Sequence, residues 1–291
     1  MKHIIENKSH TVSINQIGAE LCGFLAKETQ LEYVWQGNPN FWASTAPVLF
    51  PVIGMLKNGT YTHEGAIYSV PKHGFIRYND NMVVSHKSSN EITFLFESTE
   101  ELKKDYPFDF KIEITFTLNK NALCVSHVVT NTGISEMLFS LGGHPAFNCP
   151  LLANESYEDY YLEFDKKQTL SSTVLSGTGL LTNEAFKVIE NSNKLNLKAD
   201  LFANDALIFK NIESKKVSLK SKNHQHSVTV TYSDFLNLGI WAKHKAPFVC
   251  IEPWLGIADH ENSTGVLKEK EGIISLLEGD KYRASFTIEV N

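Results

Sequence analysis

Apolar and polar residues alternate with a period of two along most of the chain. The clearest stretch runs from Phe110, where Phe110, Ile112, Ile114 and Phe116 alternate with Lys111, Glu113 and Thr115. A turn at Asn119-Lys120-Asn121 then leads into Leu123-Cys124-Val125-Ser126-His127-Val128-Val129. That pattern predicts a long β-hairpin with one buried face. Val83–His86 and Ile92–Phe96, around Ser88-Ser89-Asn90, repeat it, as do Val217–Leu219 and Val228–Tyr232 around Lys222–His226. Another alternating strand, Ala284–Val290, ends the sequence. Helical signal is weak. Ser98–Asp105 has the composition of a short helix and Glu155–Tyr160 that of a turn, while Asn131-Thr132-Gly133 and Glu278-Gly279-Asp280 mark turns between strands. Residues 171–200, rich in Ser, Thr, Asn and Lys, break the alternation and read as surface loops. No Pro/Gly/Ser-rich linker or repeat divides the chain. The expectation is one all-β domain spanning 1–291, a large antiparallel β-sandwich. A concave face or open cleft in such a sandwich is where a small ligand would bind.

The 291 residues carry 27 basic and 33 acidic side chains, a formal charge of −6. With basic residues scattered in short pairs such as Lys103-Lys104, this balance excludes a general polyanion binder, so nucleic acid is not an expected partner. Charges at Lys2, Glu6 and Lys8 interrupt any apolar signal core, and no apolar run is long enough to span a bilayer, so no membrane partner is expected. Cys22, Cys124, Cys149 and Cys250 lie far apart without metal-binding spacing. They read as reduced, mostly buried thiols of a cytoplasmic protein.

Three segments break the strand pattern by gathering Gly, Pro, aromatics and titratable groups. They are Pro71-Lys72-His73-Gly74-Phe75-Ile76-Arg77, Leu141-Gly142-Gly143-His144-Pro145-Ala146-Phe147-Asn148 and Ile251-Glu252-Pro253-Trp254-Leu255-Gly256. Gly permits unusual dihedrals and Pro fixes its own φ, so each segment can aim one side chain into a cleft. Taken alone, a histidine beside glycine is usually a turn or a satisfied buried residue. Glu252 differs because it lies between an apolar strand and an aromatic. Desolvation there would raise its pKa toward the range a general base needs. Together His73, His144 and Glu252 make an acid–base set.

In order along the chain come Pro47-Val48-Leu49-Phe50-Pro51-Val52-Ile53-Gly54, Lys57-Asn58-Gly59-Thr60-Tyr61, His73-Gly74-Phe75, His144-Pro145-Ala146-Phe147-Asn148 and Ile251-Glu252-Pro253-Trp254. From about residue 40 onward this series resembles the aldose 1-epimerase (galactose mutarotase-like) family, in its bacterial LacX-like branch. The resemblance implies a large antiparallel β-sandwich, the galactose mutarotase-like supersandwich, and interconversion of the α and β anomers of a hexose. Glu252 matches the family's base, His144 its acid and His73 its sugar-binding histidine. The pair would act on opposite sides of one C–O bond, with roles reversed for ring closure. No metal or organic cofactor is implied. Asp205 is the best match to an aspartate that holds sugar hydroxyls, with a simple turn as the equal alternative. Trp254, Phe147 and Trp42 offer flat apolar area to a sugar, with core packing the leading alternative for Phe147 and Trp42, and Trp254 favoured because it neighbours Glu252.

One position departs from the pattern. Many relatives place an arginine that contacts the sugar just before Leu-Lys-Asn-Gly, and Met55 stands there in this chain. Arg77, four residues after His73, is the candidate replacement. A His-Gly-Phe-x-Arg arrangement is also similar to hexose-6-phosphate 1-epimerases, which bind phosphate through arginines. Two alternatives to the free-hexose reading therefore stand: a hexose-6-phosphate 1-epimerase, and a carbohydrate-binding or sensing protein without catalysis. The partner expected is a small sugar, and a homodimer is compatible with the sequence.

Overall fold

The computed structural model describes all 291 residues. The alternating segments assemble into a nine-stranded antiparallel sheet. Within it Phe110–Asn119 and Ala122–Asn131 pair from Phe110 opposite Asn131 to Asn119 opposite Ala122. Glu91–Glu97 and Val83–Lys87 extend the sheet on one side, and Lys281–Val290, Ser227–Thr231 and Lys216–Ser221 on the other. Every second residue from Phe110 to Leu118 is buried, as the period of two requires when one face lies against a core.

Against that face lies a smaller sheet. Its order is Leu207–Phe209, Asn237–Trp241, Phe248–Leu255, Leu141–Gly143 and Val48–Leu49, with Ala146–Asn148 also paired to Phe248–Leu255. Phe248–Leu255 is buried at every residue because strands flank it on both sides and side chains cover both faces. Ring pairs bridge the layers, such as Phe164 with Phe209 at 6.4 Å and Phe50 with Phe110 at 5.1 Å. One continuous apolar cluster draws on both sheets. A third, four-stranded sheet is formed by Lys2–Glu6, His10–Asn15, Glu20–Ala26 and Leu31–Glu32.

Two local expectations change, and the turn expected at Glu155–Tyr160 holds. Ser98–Asp105 holds only a 3₁₀ turn at Leu102–Lys104, too short for a helix. Glu155–Tyr160 contains another at Tyr157–Asp159, where Asp159 accepts from the Ser156 amide and hydroxyl at 2.8 Å. The larger correction concerns 171–200. Far from surface loops, this region lies mostly within a hairpin of two 16-residue strands, Tyr160–Leu175 and Leu181–Asn196. Its inner half belongs to the nine-stranded sheet, where Leu181–Asn196 is an edge. Register shifts between Glu163 and Ser171 mark irregular pairing before the outer half. Few residues of that half are buried, so no apolar alternation was written into the sequence. Charged and polar side chains on an exposed edge also limit pairing with other chains.

Candidate active site

Residues Phe248–Leu255 place Cys250, Glu252 and Trp254 on one face by strand alternation. The partner on one side is interrupted. Gly142 pairs with Trp254 and Ala146 with Cys250, in one continuous register, and between them the chain breaks pairing at Gly143-His144-Pro145. In that register His144 stands directly opposite Glu252, and the Ile251 amide donates to the Pro145 carbonyl at 3.1 Å. On the other side the partner of Glu252 is Gly239. A β-carbon there would lie 2.6 Å from the Trp254 ring, so the glycine makes room for the indole. His144 and Glu252 are thus cross-strand neighbours, in the arrangement by which sheets couple side chains.

His144 Nε2 lies 3.1 Å from Glu252 Oε2, and both side chains are nearly fully buried. Burial pushes the Glu252 carboxyl well above the usual carboxylate range, against the pull of Lys72, with Asp205 raising it further. The Trp254 indole N–H also lowers it, although it reaches no acceptor with full hydrogen-bond alignment. Burial likewise pushes His144 down to about 3, helped by Arg77 and Lys72. Each group is therefore disfavoured in its charged form, the condition for moving a proton near neutrality. Trp42 lies over the His144 ring at 4.8 Å and Trp241 meets it edge-on at 5.9 Å, fixing the imidazole plane.

His73 reaches the same place from a loop, with φ of +66°. Its amide donates to the Gly54 carbonyl at 3.0 Å, and its Nδ1 accepts from the Gly54 amide at 3.1 Å. An Nδ1 that accepts carries no proton, so in the neutral ring the proton sits on Nε2. The ring stands 5.6 Å from that of His144 and nearly perpendicular to it. Burial, with His144 and Lys72, pushes its pKa well below the histidine range. Gly74 is required here, because with φ of +79° a β-carbon would fall 1.9 Å from the Phe50 carbonyl oxygen.

These side chains line a cleft of about 310 Å³, together with Asp205, Arg77 and Trp254. Of the eight residues singled out in the sequence, seven converge there. Asp205 is exposed at its rim with φ of +76°, and its Oδ1 accepts from the Ala206 amide at 2.8 Å. Arg77 donates to Ser44 Oγ at 3.1 Å. Phe147 is the exception: it is fully buried in the main core and does not line the cleft. Strand alternation explains it, since Phe147 falls between Ala146 and Asn148 and turns its ring away from the cleft into the sandwich. Trp42 and Trp241 take the flanking aromatic role instead. Sequence reading did not single out Lys72, Trp241, Leu175 or Gly179 as cleft residues. Lys72 lay inside a quoted motif, but a lysine before a histidine gives no signal by itself.

Leu175 and Gly179 come from the tip of the long hairpin. The tip is fastened by backbone bonds from the Leu181 amide to the Asp259 carbonyl at 2.8 Å and from the Glu261 amide to Leu181 at 2.9 Å. Leu181 also joins Ile208, Trp254 and Ala258 in a small apolar cluster, with Leu175 packed against it. Met55 explains itself in this setting. A β-carbon on Gly179 would come 3.1 Å from Met55 Cγ, so Met55 packs beneath the hairpin tip. Beneath both, Asp259 is held by a buried ion pair with Lys270 at 2.6 Å and accepts from the Lys57 amide at 2.9 Å.

The buried donors His144, Cys250 and Glu252 lie within 4.8 Å of one another, close enough in principle to share an ion. Burial and the neighbouring Glu252 hold the Cys250 thiol well above its usual pKa, so it offers a protonated sulfur, a poor metal ligand. The donor set suits proton transfer better than ion binding. No helix is long and apolar enough to cross a membrane.

An antiparallel sandwich thus carries a histidine–glutamate pair in an aromatic-lined cleft. Residues 1–275 match the aldose 1-epimerase family model. Protein LacX of Lactococcus lactis subsp. lactis is 31% identical over 300 residues, covering 98% of each chain. The galactose mutarotase related enzyme of Lactobacillus acidophilus superposes with a TM-score of 0.95 at 35% identity, over 100% of this chain and 97% of its own. A galactose mutarotase-like protein of Lactobacillus casei gives 0.93 at 32% identity, over the whole of both chains. The chain belongs to the aldose 1-epimerase family.

Proposed function

We propose that the protein equilibrates the α and β anomers of a free hexose, with Glu252 and His144 as the proton-transfer pair. The observation that carries this reading is their cross-strand contact at 3.1 Å in the cleft. With burial disfavouring charge on both, the pair holds one proton between them. At rest that proton sits on Glu252; its transfer to His144 across the 3.1 Å contact readies Glu252 as base and His144 as acid. Ring opening then moves a proton from the anomeric hydroxyl to Glu252 while His144 delivers its own to the ring oxygen, which restores the resting state. Ring closure reverses both steps. Because the two side chains touch, they address the hemiacetal from one wall rather than from opposite sides. The two oxygens share a carbon, so adjacent groups can serve both. His73 donates from Nε2 to a substrate oxygen, and Asp205 accepts from ring hydroxyls. Trp254 and Trp42 supply the apolar platform that sugars favour.

Polarimetry of freshly dissolved α-hexose tests the reading. Equilibration faster than the spontaneous rate, lost in Glu252→Gln with sugar binding retained, is the expected result. Binding without any rate enhancement would favour the non-catalytic carbohydrate-binding alternative. A second reading is favoured by Lys72 and Arg77, two cations in one cleft. They would suit an anionic substituent such as a phosphate. A hexose 6-phosphate turned over better than its parent hexose, with the preference lost in Arg77→Ala or Lys72→Ala, would establish that substrate.

A further inference from the structure

On Ala122–Asn131, an interior strand of the large sheet, inward positions alternate as Leu123, Val125, His127, Val129. A histidine stands where the pattern calls for an aliphatic residue. His127 is fully buried, and its ring lies against that of Phe286 at 6.0 Å and 30°. Neither ring nitrogen has a hydrogen-bond partner, although the Ala284 carbonyl lies near enough to favour a proton on the ring. A buried imidazole without partners is worse for folding than the leucine or phenylalanine that would fit such a position. Packing alone does not account for it.

Across the sandwich the same orphan recurs. His144 presents Nε2 to Glu252, while its Nδ1 is buried without a partner. His127 and His144 both line one small cavity of about 10 Å³, with Gly143 and Phe286 beside them and otherwise mostly apolar walls. Gly143 lets the layers approach here, since a β-carbon would fall 2.7 Å from the Phe286 ring. A space of this size holds about one water when polar atoms face it. An acid–base histidine needs a partner on its second nitrogen, because that partner decides which nitrogen carries the proton.

The geometry points to His127 as a positioning residue for His144. One water in that cavity joins the two imidazoles, occupies His144 Nδ1 and keeps Nε2 as the proton-transferring atom toward Glu252. His127 touches no substrate. The role rests on the proton-transfer function proposed for His144, but its structural half can be read without turnover.

The experiment compares the wild type with His127→Phe, His127→Leu and His127→Gln. ¹⁵N NMR of His144 reports its tautomer, and polarimetry reports kcat and KM. In whichever apolar variant folds, His144 is expected to lose its single tautomer. Its kcat is expected to fall about tenfold with KM within twofold, as for removal of an outer partner of an active-site histidine. His127→Gln, which keeps a hydrogen-bonding group, is expected to recover most of both. Unchanged His144 nitrogen signals in a folded apolar variant would overturn the proposal. If the wild type equilibrates no aldose, the mutarotase reading fails and the His144 signals alone decide this one.

Discussion

Strand Phe248–Leu255 and the tip of hairpin Tyr160–Asn196 face the same cleft but are built differently. The strand lies inside the smaller sheet, buried at every residue, and its neighbours hold Glu252 and His144 in register. The hairpin tip is polar, sits at the end of an edge, and docks through a few backbone bonds and one small apolar cluster. Placement of a proton donor and acceptor needs sub-ångström constancy, which a doubly flanked strand provides. A wall that selects among sugars needs only shape, and a docked hairpin supplies that. Chemistry should therefore fail when the strand is altered, and selectivity when the hairpin is.

The largest effect should come from the strand. Glu252→Gln is expected to lower the rate of anomer equilibration by about 10²–10⁴-fold without unfolding, as for loss of a general base. His144→Asn should fall in the same range, and polarimetry measures both. Retention of wild-type rates in either variant would end the contrast between the walls, because the strand would then carry no chemistry.

Acid stability gives the next effect, and its sign follows from the two shifts. His144 is neutral when folded but takes a proton near 6.5 when unfolded, so its contribution is lost as the pH falls below that value. Glu252 keeps its proton when folded but releases it near 4.5 when unfolded, so its contribution is lost as the pH rises above that value. Between 4.5 and 6.5 the two slopes oppose and largely cancel. Glu252→Gln removes one of them. Its unfolding free energy should fall on acidification through that window more steeply than the wild type's, by up to about 1.4 kcal/mol per pH unit. Urea titrations at several pH values measure it, and equal slopes would show that the pair does not titrate as its burial implies.

Packing under the strand comes third. Gly239→Ala places a methyl into the Trp254 ring and should cost about 1–3 kcal/mol as overpacking. Displacing the indole beside Glu252 should also lower kcat. Thermal melts and polarimetry separate the two losses.

The hairpin should show the smallest and most selective effect. Leu175→Asn and Met55→Arg are expected to change KM between sugars by a few-fold while leaving kcat within twofold, because neither side chain touches the proton-transfer pair. This is the modest discrimination that a change in pocket polarity gives. A comparable fall in kcat for every sugar would mean that the hairpin, too, positions the chemistry.

The two regions also differed in how readable they were. Phe110, Ile112, Ile114 and Phe116 announced a buried face because one side of that strand meets a core. Glu252 and His144 stood out because Gly and Pro hold the backbone around them. The hairpin gave no such signal. Its outer half faces solvent on most sides, so side-chain alternation carried no burial information, and Leu175 and Gly179 looked like loop residues. Phe147 failed for the opposite reason: it sat in the right motif, but strand alternation turns it away from the cleft that His144 enters.

Sequence alone determined the all-β class, written in the period of two, the family, through an ordered series of motifs, and the titratable residues that enter the cleft, each marked by a neighbouring glycine or proline. Only the tertiary structure decided the rest. The register that sets His144 opposite Glu252, the hairpin tip against Met55, and the cavity lined by both His127 and His144 all depend on strands far apart in the chain. Such contacts arise from how sheets stack, and no local pattern records that.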